Sequence, residues 1–303
     1  MLEQYKKQVH LVARVLPHVA AEVCFAIKGG TAINLFEVDM PRLSVDIDLT
    51  FVKILDREKT ILEINQALER IAKHLKQHGI EAELRGSENT RKINCFQDGV
   101  SIKVEPNFIL RGTVFPVRLI TICHSMVMMT RAEVQMQVLS FEELYGGKVC
   151  AALDRQHPRD LFDMAQFYRT HSLAEIKKGV LALGHNRPLH ELLGPIRQDQ
   201  RLILEQQFTG MSDEPFSYDD HQATLERLIF DIQALFDDSD KQKLLDFVSL
   251  SGERDPWGIP NFGDLPAIRW KRRNLESLRK TNPGKFAAQR ESLERLFTMT
   301  WRR

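Results

Sequence analysis

The segment KGGTAINLFEVDMPRLSVDIDLTF, residues 28–51, constrains the fold more than any other part of this 303-residue chain. A short apolar run ends at two adjacent glycines, and a stretch of helical character follows them. Residues 43–49 then alternate, so that the apolar side chains face one way while Asp46 and Asp48 face the other. A strand, a Gly-Gly turn, a helix and a second strand with one acidic face together predict an α/β architecture.

Composition narrows the class of protein. Hydrophobic residues make up 43% of the chain and charged residues 27%, which is typical of a soluble globular protein. No run of eighteen apolar residues occurs, and the N-terminus lacks the pattern of a signal peptide, so we expect a cytoplasmic protein without a membrane span. The four cysteines are far apart and form no CxxC pair, which favours neither a zinc site nor a disulfide framework.

The order of strand and helix signals predicts two domains. Alternating segments near residues 80–110 and 131–140 predict further strands, and the segments that follow predict two helices. Beyond about residue 171 the strand signals disappear. We therefore expect an α/β (α+β) domain over residues 1–170, with a mixed sheet flanked by helices, and a helical C-terminal domain over residues 171–303.

The two aspartates favour a metal site. Asp46 and Asp48 are two residues apart on one strand, so both carboxylates leave the same face of the sheet. Carboxylates held this close repel each other unless a cation lies between them. Magnesium prefers a few carboxylates together with substrate phosphates, and paired ions of this kind promote in-line phosphoryl displacement. We expect Mg²⁺, or Mn²⁺, as the cofactor.

The glycines fit the same chemistry. A turn at Gly29 and Gly30 lets a phosphate approach the backbone closely, and the following helix offers free N–H groups and a hydroxyl from Thr31, which is also in position to cap that helix. A third acid is expected on a neighbouring strand, where Glu105 is the candidate metal ligand. The alternative is that the acids form only the solvated face of an edge strand. The combined pattern favours nucleotidyl transfer from a nucleoside triphosphate (NTP).

The C-terminal end is basic. From Ile268 to Arg303 there are eleven lysines and arginines against three glutamates, a net charge of +8, whereas the remainder of the chain carries −7. A surface for a polyanion and a solvated helix face are both compatible with this imbalance. Trp270 could stack on a nucleobase or be buried by its helix. The candidate RNA-binding residues are Arg269, Trp270, Lys271, Arg272 and Arg273.

These motifs resemble those of a known family. GGTAINLF…RLSVDIDLTF resembles the signature of the nucleotidyltransferase superfamily and, more narrowly, the AbiEii/AbiGii toxin family. FEELYGGKVCAALDRQHPRDLFDM and PAIRWKRRNL resemble two later blocks of that family. The resemblance implies a nucleotidyltransferase-like α/β core, a helical C-terminal part and the role of toxin in a bacterial type IV toxin–antitoxin or abortive-infection pair. Some relatives transfer a nucleotide from an NTP to the acceptor end of tRNA.

The resemblance also implies roles for individual residues. Gly29, Gly30 and Thr31 would hold the phosphates, and Arg42 could neutralise a phosphate oxygen. By the same comparison, Lys148 would contact the triphosphate and Asp160 would act as base or orienting group. Two alternatives stay open, since Lys148 could extend from its helix to solvent and Asp160 could serve only the helix dipole. We expect Lys148 to serve nucleotide handling rather than folding, because a cation on an apolar helix has little structural reason to be there.

The sequence therefore predicts a magnesium-dependent nucleotidyltransferase toxin that transfers a nucleoside monophosphate (NMP) from an NTP to an RNA, with tRNA as the expected acceptor. A cognate antitoxin is the expected protein partner. Two other functions stay open: a module that binds NTP or nucleic acid with little catalysis, and a transferase that acts on a small molecule or a protein hydroxyl.

Overall fold

A computed structural model describes residues 3–183 and 187–298. The chain forms two compact units, one of residues 3–140 with residues 206–215, and the other of residues 141–205 with residues 216–298. The sequence places the end of the α/β domain later, near residue 170, because two helices after residue 140 follow the last strand directly. Compactness is one criterion of a domain, and the predicted domain boundary stays a prediction.

The first unit contains a mixed sheet that has seven strands in the part of the chain that is described. The strands are β1 (Phe25–Lys28), β2 (Ile47–Phe51), β3 (Glu81–Arg85), β4 (Lys92–Gln97), β5 (Val100–Pro106), β6 (Arg118–Thr121) and β7 (Gln135–Val138). Their order across the sheet is β3-β4-β5-β2-β1-β7-β6. The pairs β2–β5 and β1–β7 are parallel, and the other neighbours are antiparallel. The predicted mixed α/β class is confirmed.

The helices of the first unit are α1 (Glu3–Ala20), α2 (Gly29–Ala32), which continues as a π-helical turn (Ile33–Glu37), α3 (Arg57–Gln77) and α4 (His124–Thr130). The long helices α1 and α3 pack on strands of the sheet through apolar faces with the spacing of an amphipathic helix. Asp56 caps α3, since its Oδ1 accepts a hydrogen bond from the Lys59 amide at 2.9 Å. These two helices leave the acidic face of β2 outside the apolar core.

Three local features differ from the sequence prediction. The strand that the sequence predicts to carry both aspartates begins only at Ile47, so Asp46 precedes it. The segment before it pairs elsewhere, since the Leu43 amide donates to the Met211 carbonyl at 2.7 Å. The helix after β1 begins at Gly29, so Thr31 lies inside it and does not cap it. Strand β6 and helix α4 were not predicted, because their segments are short and lack clear periodicity.

The second unit is helical, and no strand occurs in its described residues. Its helices are α5 (Phe141–Arg155), α6 (Pro158–Phe167), α7 (Lys177–Leu183), α8 (Leu189–Leu193), α10 (Tyr218–Ala234), α11 (Asp238–Val248), α12 (Pro266–Thr281) and α13 (Pro283–Thr298), with 3₁₀ turns at Leu173–Ile176 and Phe262–Asp264. Helix α9 (Arg201–Gln207) spans the point where the chain returns to the first unit. Ser217 and Asp237 begin α10 and α11 with capping boxes.

Candidate active site

The Gly-Gly turn lies against the DxD strand. Strands β1 and β2 pair antiparallel with Lys28 opposite Asp48, so the turn that follows β1 comes directly beside that aspartate. Gly29 has φ of +72°, which favours glycine, and a Cβ at this position would lie 2.6 Å from Asp48 Oδ2. The glycine is therefore required twice, once for the backbone conformation and once for the close approach of the carboxylate.

Gly30 makes a second close approach, to the segment that leads into β2. A Cβ on Gly30 would lie 2.6 Å from Arg42 Nη2 and 3.0 Å from Ser44 Oγ. Arg42 is only 2% exposed, and its guanidinium donates to the Leu43 carbonyl at 3.0 Å. The predicted contact of Arg42 with a phosphate stays a prediction that this burial does not favour. In the structure the guanidinium supports the turn from the protein interior.

Thr31 links the turn to the residue that precedes β2. Its side chain is 1% exposed, and its hydroxyl donates to the Asp46 carbonyl oxygen and lies 3.0 Å from Ser44 Oγ. The hydroxyl is directed into the protein, whereas the sequence predicts that it binds a phosphate. A hydrogen bond to the Asp46 main chain fixes the backbone of a candidate metal ligand. We therefore assign Thr31 a positioning role, and its contact with phosphate stays a prediction.

The sheet arranges charged residues in a row across four neighbouring strands. The registers pair Lys28 with Asp48 and Asp48 with Glu105, and the pair of Ile93 with Val104 places Lys92 next to Glu105, so all four residues share one face. The Lys92 Nζ lies 2.8 Å from Glu105 Oε1. Hydrogen bonding to Glu105 raises the pKa of Lys92, with a smaller contribution from the charge of Asp46. The row therefore has two negative charges, on Asp48 and Glu105, between two positive charges, on Lys28 and Lys92.

Two carboxylates beside the Gly-Gly turn are the candidate ligands of a magnesium ion. Asp48 lies on β2 opposite Lys28, and Asp46 directly precedes that strand. Mg²⁺ typically takes one or two carboxylates plus substrate phosphates. Among the described residues, no group of three or more carboxylate, imidazole or thiol side chains is arranged to hold a metal. Glu105 lies on the predicted neighbouring strand, but Lys92 engages its carboxylate. Its role as a third ligand stays a prediction.

Lys148 and Asp160 belong to the second unit and form an ion cluster there. The Lys148 Nζ lies 2.9 Å from Asp160 Oδ1 and 2.8 Å from Asp163 Oδ2, and Arg155 lies 2.8 Å from the other oxygen of Asp160. The side chains of Lys148, Asp160 and Asp163 are at most 5% exposed. The alternative that Lys148 extends to solvent is therefore wrong, and the lysine has the structural partners that the sequence did not reveal.

Helix α6 positions the acids of this cluster. The helix begins at Pro158, and Asp160 lies in its first turn, where a negative charge interacts favourably with the helix dipole. Burial by itself raises the pKa of the Asp160 carboxyl, but the charges of Lys148 and Arg155 outweigh this effect and hold that pKa below its ordinary value. Asp160 is therefore ionised at neutral pH. The catalytic roles of Lys148 and Asp160 stay predictions.

The basic helix α12 presents three of the five predicted RNA-binding residues to solvent. It buries Ile268 and Leu275 on one side, while Arg269, Trp270 and Arg273 are exposed. Trp270 is 61% exposed, which excludes the alternative that its own helix buries it. An exposed aromatic ring between two arginines is a surface on which a nucleobase can stack while phosphates are neutralised.

The other two predicted residues of α12 turn toward the protein. Lys271 donates to the Arg187 carbonyl at 2.8 Å, and burial lowers its pKa to about 8. The guanidinium of Arg272 lies 5.9 Å from the ring centre of Phe247. Both side chains therefore contribute to packing inside the second unit. The two terminal arginines of the basic segment lie outside the described residues.

Comparison with known proteins identifies the family. Residues 10–259 match the family described as "Nucleotidyl transferase AbiEii toxin, Type IV TA system". The chain belongs to this family. An AbiEii protein is a nucleotidyltransferase toxin, and membership implies a nucleotide substrate and an antitoxin partner. The predicted family is confirmed by a match that extends over both compact units.

The fold of this AbiEii family member is similar to that of a solved toxin. MenT4, a nucleotidyltransferase toxin from Mycobacterium tuberculosis, superimposes with a TM-score of 0.59 at 15% sequence identity. The alignment covers 79% of this chain and 87% of MenT4. At this identity the likeness shows the fold alone. No curated protein sequence matches significantly, and no helix in residues 3–183 and 187–298 is long and apolar enough to cross a bilayer.

Two lysines of this site were not predicted from the sequence. Lys28 precedes the glycines, and Lys92 lies at the start of β4, but nothing in their local sequence marks them. Their position beside the aspartates depends on strand register, which couples residues that are far apart in the chain. Only a prediction of which strands pair, and in which register, could have placed these lysines at the site.

Proposed function

We propose that this AbiEii protein is a divalent-cation-dependent toxin that transfers an NMP from an NTP to an RNA, with tRNA as the acceptor. One observation carries the proposal: Gly29 approaches the Asp48 carboxylate so closely that no side chain fits between them. A phosphate bound to the backbone of the turn therefore lies beside the acid, which supports joint binding of nucleotide and metal.

The chain's own residues account for the binding of the nucleotide. The first N–H groups of α2, which begins at Gly29 of the turn, have no partners earlier in the helix and would bind the β- and γ-phosphates. Lys28, opposite Asp48 on the neighbouring strand, adds a positive charge at the same edge. When bound, Mg²⁺ would supply charge neutralisation on the phosphoryl oxygens between Asp46 and Asp48.

The proposed reaction is an in-line displacement at the α-phosphorus. A hydroxyl oxygen of the RNA attacks this phosphorus and forms a new O–P bond, while the bond to the oxygen that bridges to the β-phosphate breaks. The hydroxyl proton passes to solvent and pyrophosphate leaves. The turn would hold the leaving pyrophosphate, and the two aspartates would hold the cation that neutralises the α-phosphate.

The acceptor is proposed from the charge and exposure of α12. This helix carries six lysines and arginines and one glutamate, and its exposed face combines Trp270 with Arg269 and Arg273. Stacking and phosphate neutralisation are sequence-tolerant ways to bind RNA. A small-molecule acceptor would have no use for such a surface.

The test is transfer of label from each α-labelled NTP in the presence of Mg²⁺, with total RNA and total protein offered as separate acceptors. We expect label in the tRNA fraction, loss of transfer when the metal is chelated, and loss by orders of magnitude in Asp48→Asn. Asp98→Asn is the matched control, because Asp98 is an exposed turn residue of the same unit. Label in protein, or full activity of Asp48→Asn, would contradict the proposal.

A further inference from the structure

The charged row across the sheet has an end that the proposed function does not use. Lys28 and Asp48 lie on β1 and β2, next to the Gly-Gly turn. Beyond Asp48 the row continues to Glu105 on β5 and then to Lys92 on β4. Neighbouring strands lie about 4.8 Å apart, so Lys92 is about 10 Å from Asp48 across the sheet.

The in-line geometry of the proposed reaction suggests a role for the end of the row at Glu105 and Lys92. The attacking oxygen and the leaving pyrophosphate must lie on opposite sides of the α-phosphorus. The turn that would hold the pyrophosphate follows β1, on one side of Asp48. The opposite side of Asp48 is occupied by β5 and then by β4. An acceptor hydroxyl therefore approaches over β5, and the acceptor strand behind it extends toward β4.

We infer that Lys92 is a substrate-binding residue on the acceptor side, where its ammonium group binds an RNA phosphate next to the attacking hydroxyl. This inference rests on the proposed function, because it assumes an NTP at the turn and RNA as acceptor. Lys92 is the cation in the row on the acceptor side of both acids. Its ammonium is within the electrostatic influence of Asp46 as well as of Glu105.

The present partner of Lys92 leaves it available for this role. Its pair with Glu105 has both side chains 36% exposed. Exposed ion pairs of this kind contribute little net stability, so an RNA phosphate can replace the carboxylate at low cost. The exchange would also keep the ammonium near the backbone of the acceptor without moving β4. The next cation along the row, Arg85, pairs with Glu83 of its own strand.

The experiment measures the kinetics of NMP transfer to total tRNA, together with equilibrium tRNA binding, for wild type and Lys92→Met. We expect KM for tRNA to rise about tenfold, as for loss of one charged hydrogen bond. KM for the NTP should change less than twofold. The slope of log affinity against log salt should become shallower by about 0.7, which corresponds to one lost phosphate contact on a single strand. Lys92→Arg should recover most of the affinity.

The matched control is Lys53→Met. Lys53 forms a similar exposed pair with Glu63 at 3.0 Å, but it lies beyond the opposite end of β2 from the aspartates. This variant should leave both KM values and the salt slope unchanged. Unchanged tRNA affinity in Lys92→Met would overturn the inference, and so would equal rises in the two KM values. A wild-type protein that labels no RNA would overturn the proposed function, and this inference with it.

Discussion

Loss of the Lys148 ammonium should destabilise the second unit strongly. Lys148→Met keeps the length and much of the volume of the side chain but removes the charge that faces Asp160 and Asp163. Both carboxylates are at most 5% exposed, and the Lys148 ammonium contacts both of them, while Arg155 also contacts Asp160. The variant would therefore remove one positive charge from two buried carboxylates at once.

The size of the effect follows from the burial of the cluster. Removal of one partner of a buried ion pair typically costs about 3–5 kcal/mol, because the remaining charge stays desolvated. At about 2–4 °C per kcal/mol for a unit of this size, the melting temperature should fall by roughly 10 °C. The sequence predicts that Lys148 serves nucleotide handling rather than folding. Its burial beside two carboxylates gives it a structural role as well.

Urea unfolding followed by tryptophan fluorescence measures this effect, because all three tryptophans lie after residue 256 in the sequence of the helical half. The control is Arg197→Met, since Arg197 and Glu226 form a pair in which both side chains are more than half exposed. This control should change the free energy of unfolding by less than about 1 kcal/mol. Lys148→Met/Asp163→Asn should regain part of the lost stability, because it removes one of the two buried negative charges that the ammonium faced.

The pH dependence gives a second measure of the same cluster. The folded-state pKa of Asp160 is depressed, so its contribution to stability is present above its unfolded pKa of about 3.9 and is lost as the pH falls through the folded value. Without the Lys148 charge this depression shrinks, so the free energy of unfolding should fall less steeply with acidification than it does in wild type. A Lys148→Met protein with wild-type urea stability and wild-type acid unfolding would refute the reasoning. Loss of NMP transfer at a temperature where the variant is folded would separately support nucleotide handling.

Three further predictions concern the turn and the basic helix. Gly29→Ala should abolish NMP transfer, because the added methyl group would lie 2.6 Å from an oxygen of Asp48. The control is Gly99→Ala, since Gly99 has a similar positive φ but open space around it, and equal rates of transfer by the two variants would contradict the prediction. Thr31→Val should raise the Mg²⁺ concentration for half-maximal activity about tenfold, because one buried hydrogen bond is lost, and Thr31→Ser should restore the wild-type concentration. An unchanged Mg²⁺ titration in Thr31→Val would exclude the positioning role. The double variant Arg269→Glu/Arg273→Glu should weaken tRNA binding and make the slope of log affinity against log salt shallower by about 1.4, while NTP binding stays unchanged. If the variant kept the wild-type affinity and slope, the exposed face of α12 would be only a solvated helix face.

Local sequence patterns predicted most of the elements around the site. The alternation through Asp46 and Asp48 and the glycines before them gave the correct sequence of strand, turn, helix and strand. These signals are local, since strand and helix periodicities depend on residues close in the chain. Segments without a clear period, such as β6 and α4, were missed for the same reason.

The contacts of individual side chains were less predictable, because they depend on packing. Helix α5 is largely buried around its circumference, so its sequence alone did not show that Lys148 faces two acids on α6. On α12 the five predicted residues are consecutive, yet a helical turn of 3.6 residues directs Lys271 and Arg272 toward the protein and the others to solvent. The local pattern gave the residue types but not the direction of each side chain.

The Gly-Gly turn and the start of β2 behave as one structural element. Gly29 closely approaches the carboxylate of Asp48, and the Thr31 hydroxyl donates to the main-chain carbonyl of Asp46, so each candidate metal ligand has a neighbour in the turn that fixes its position. A side chain at the first position would displace the carboxylate itself, whereas loss of the hydroxyl at the second would loosen only the backbone. The two changes should therefore separate in the metal titration: the first removes activity at any Mg²⁺ concentration, and the second is overcome by more Mg²⁺. This difference distinguishes an acid held in place by the turn from one that the metal alone could organise.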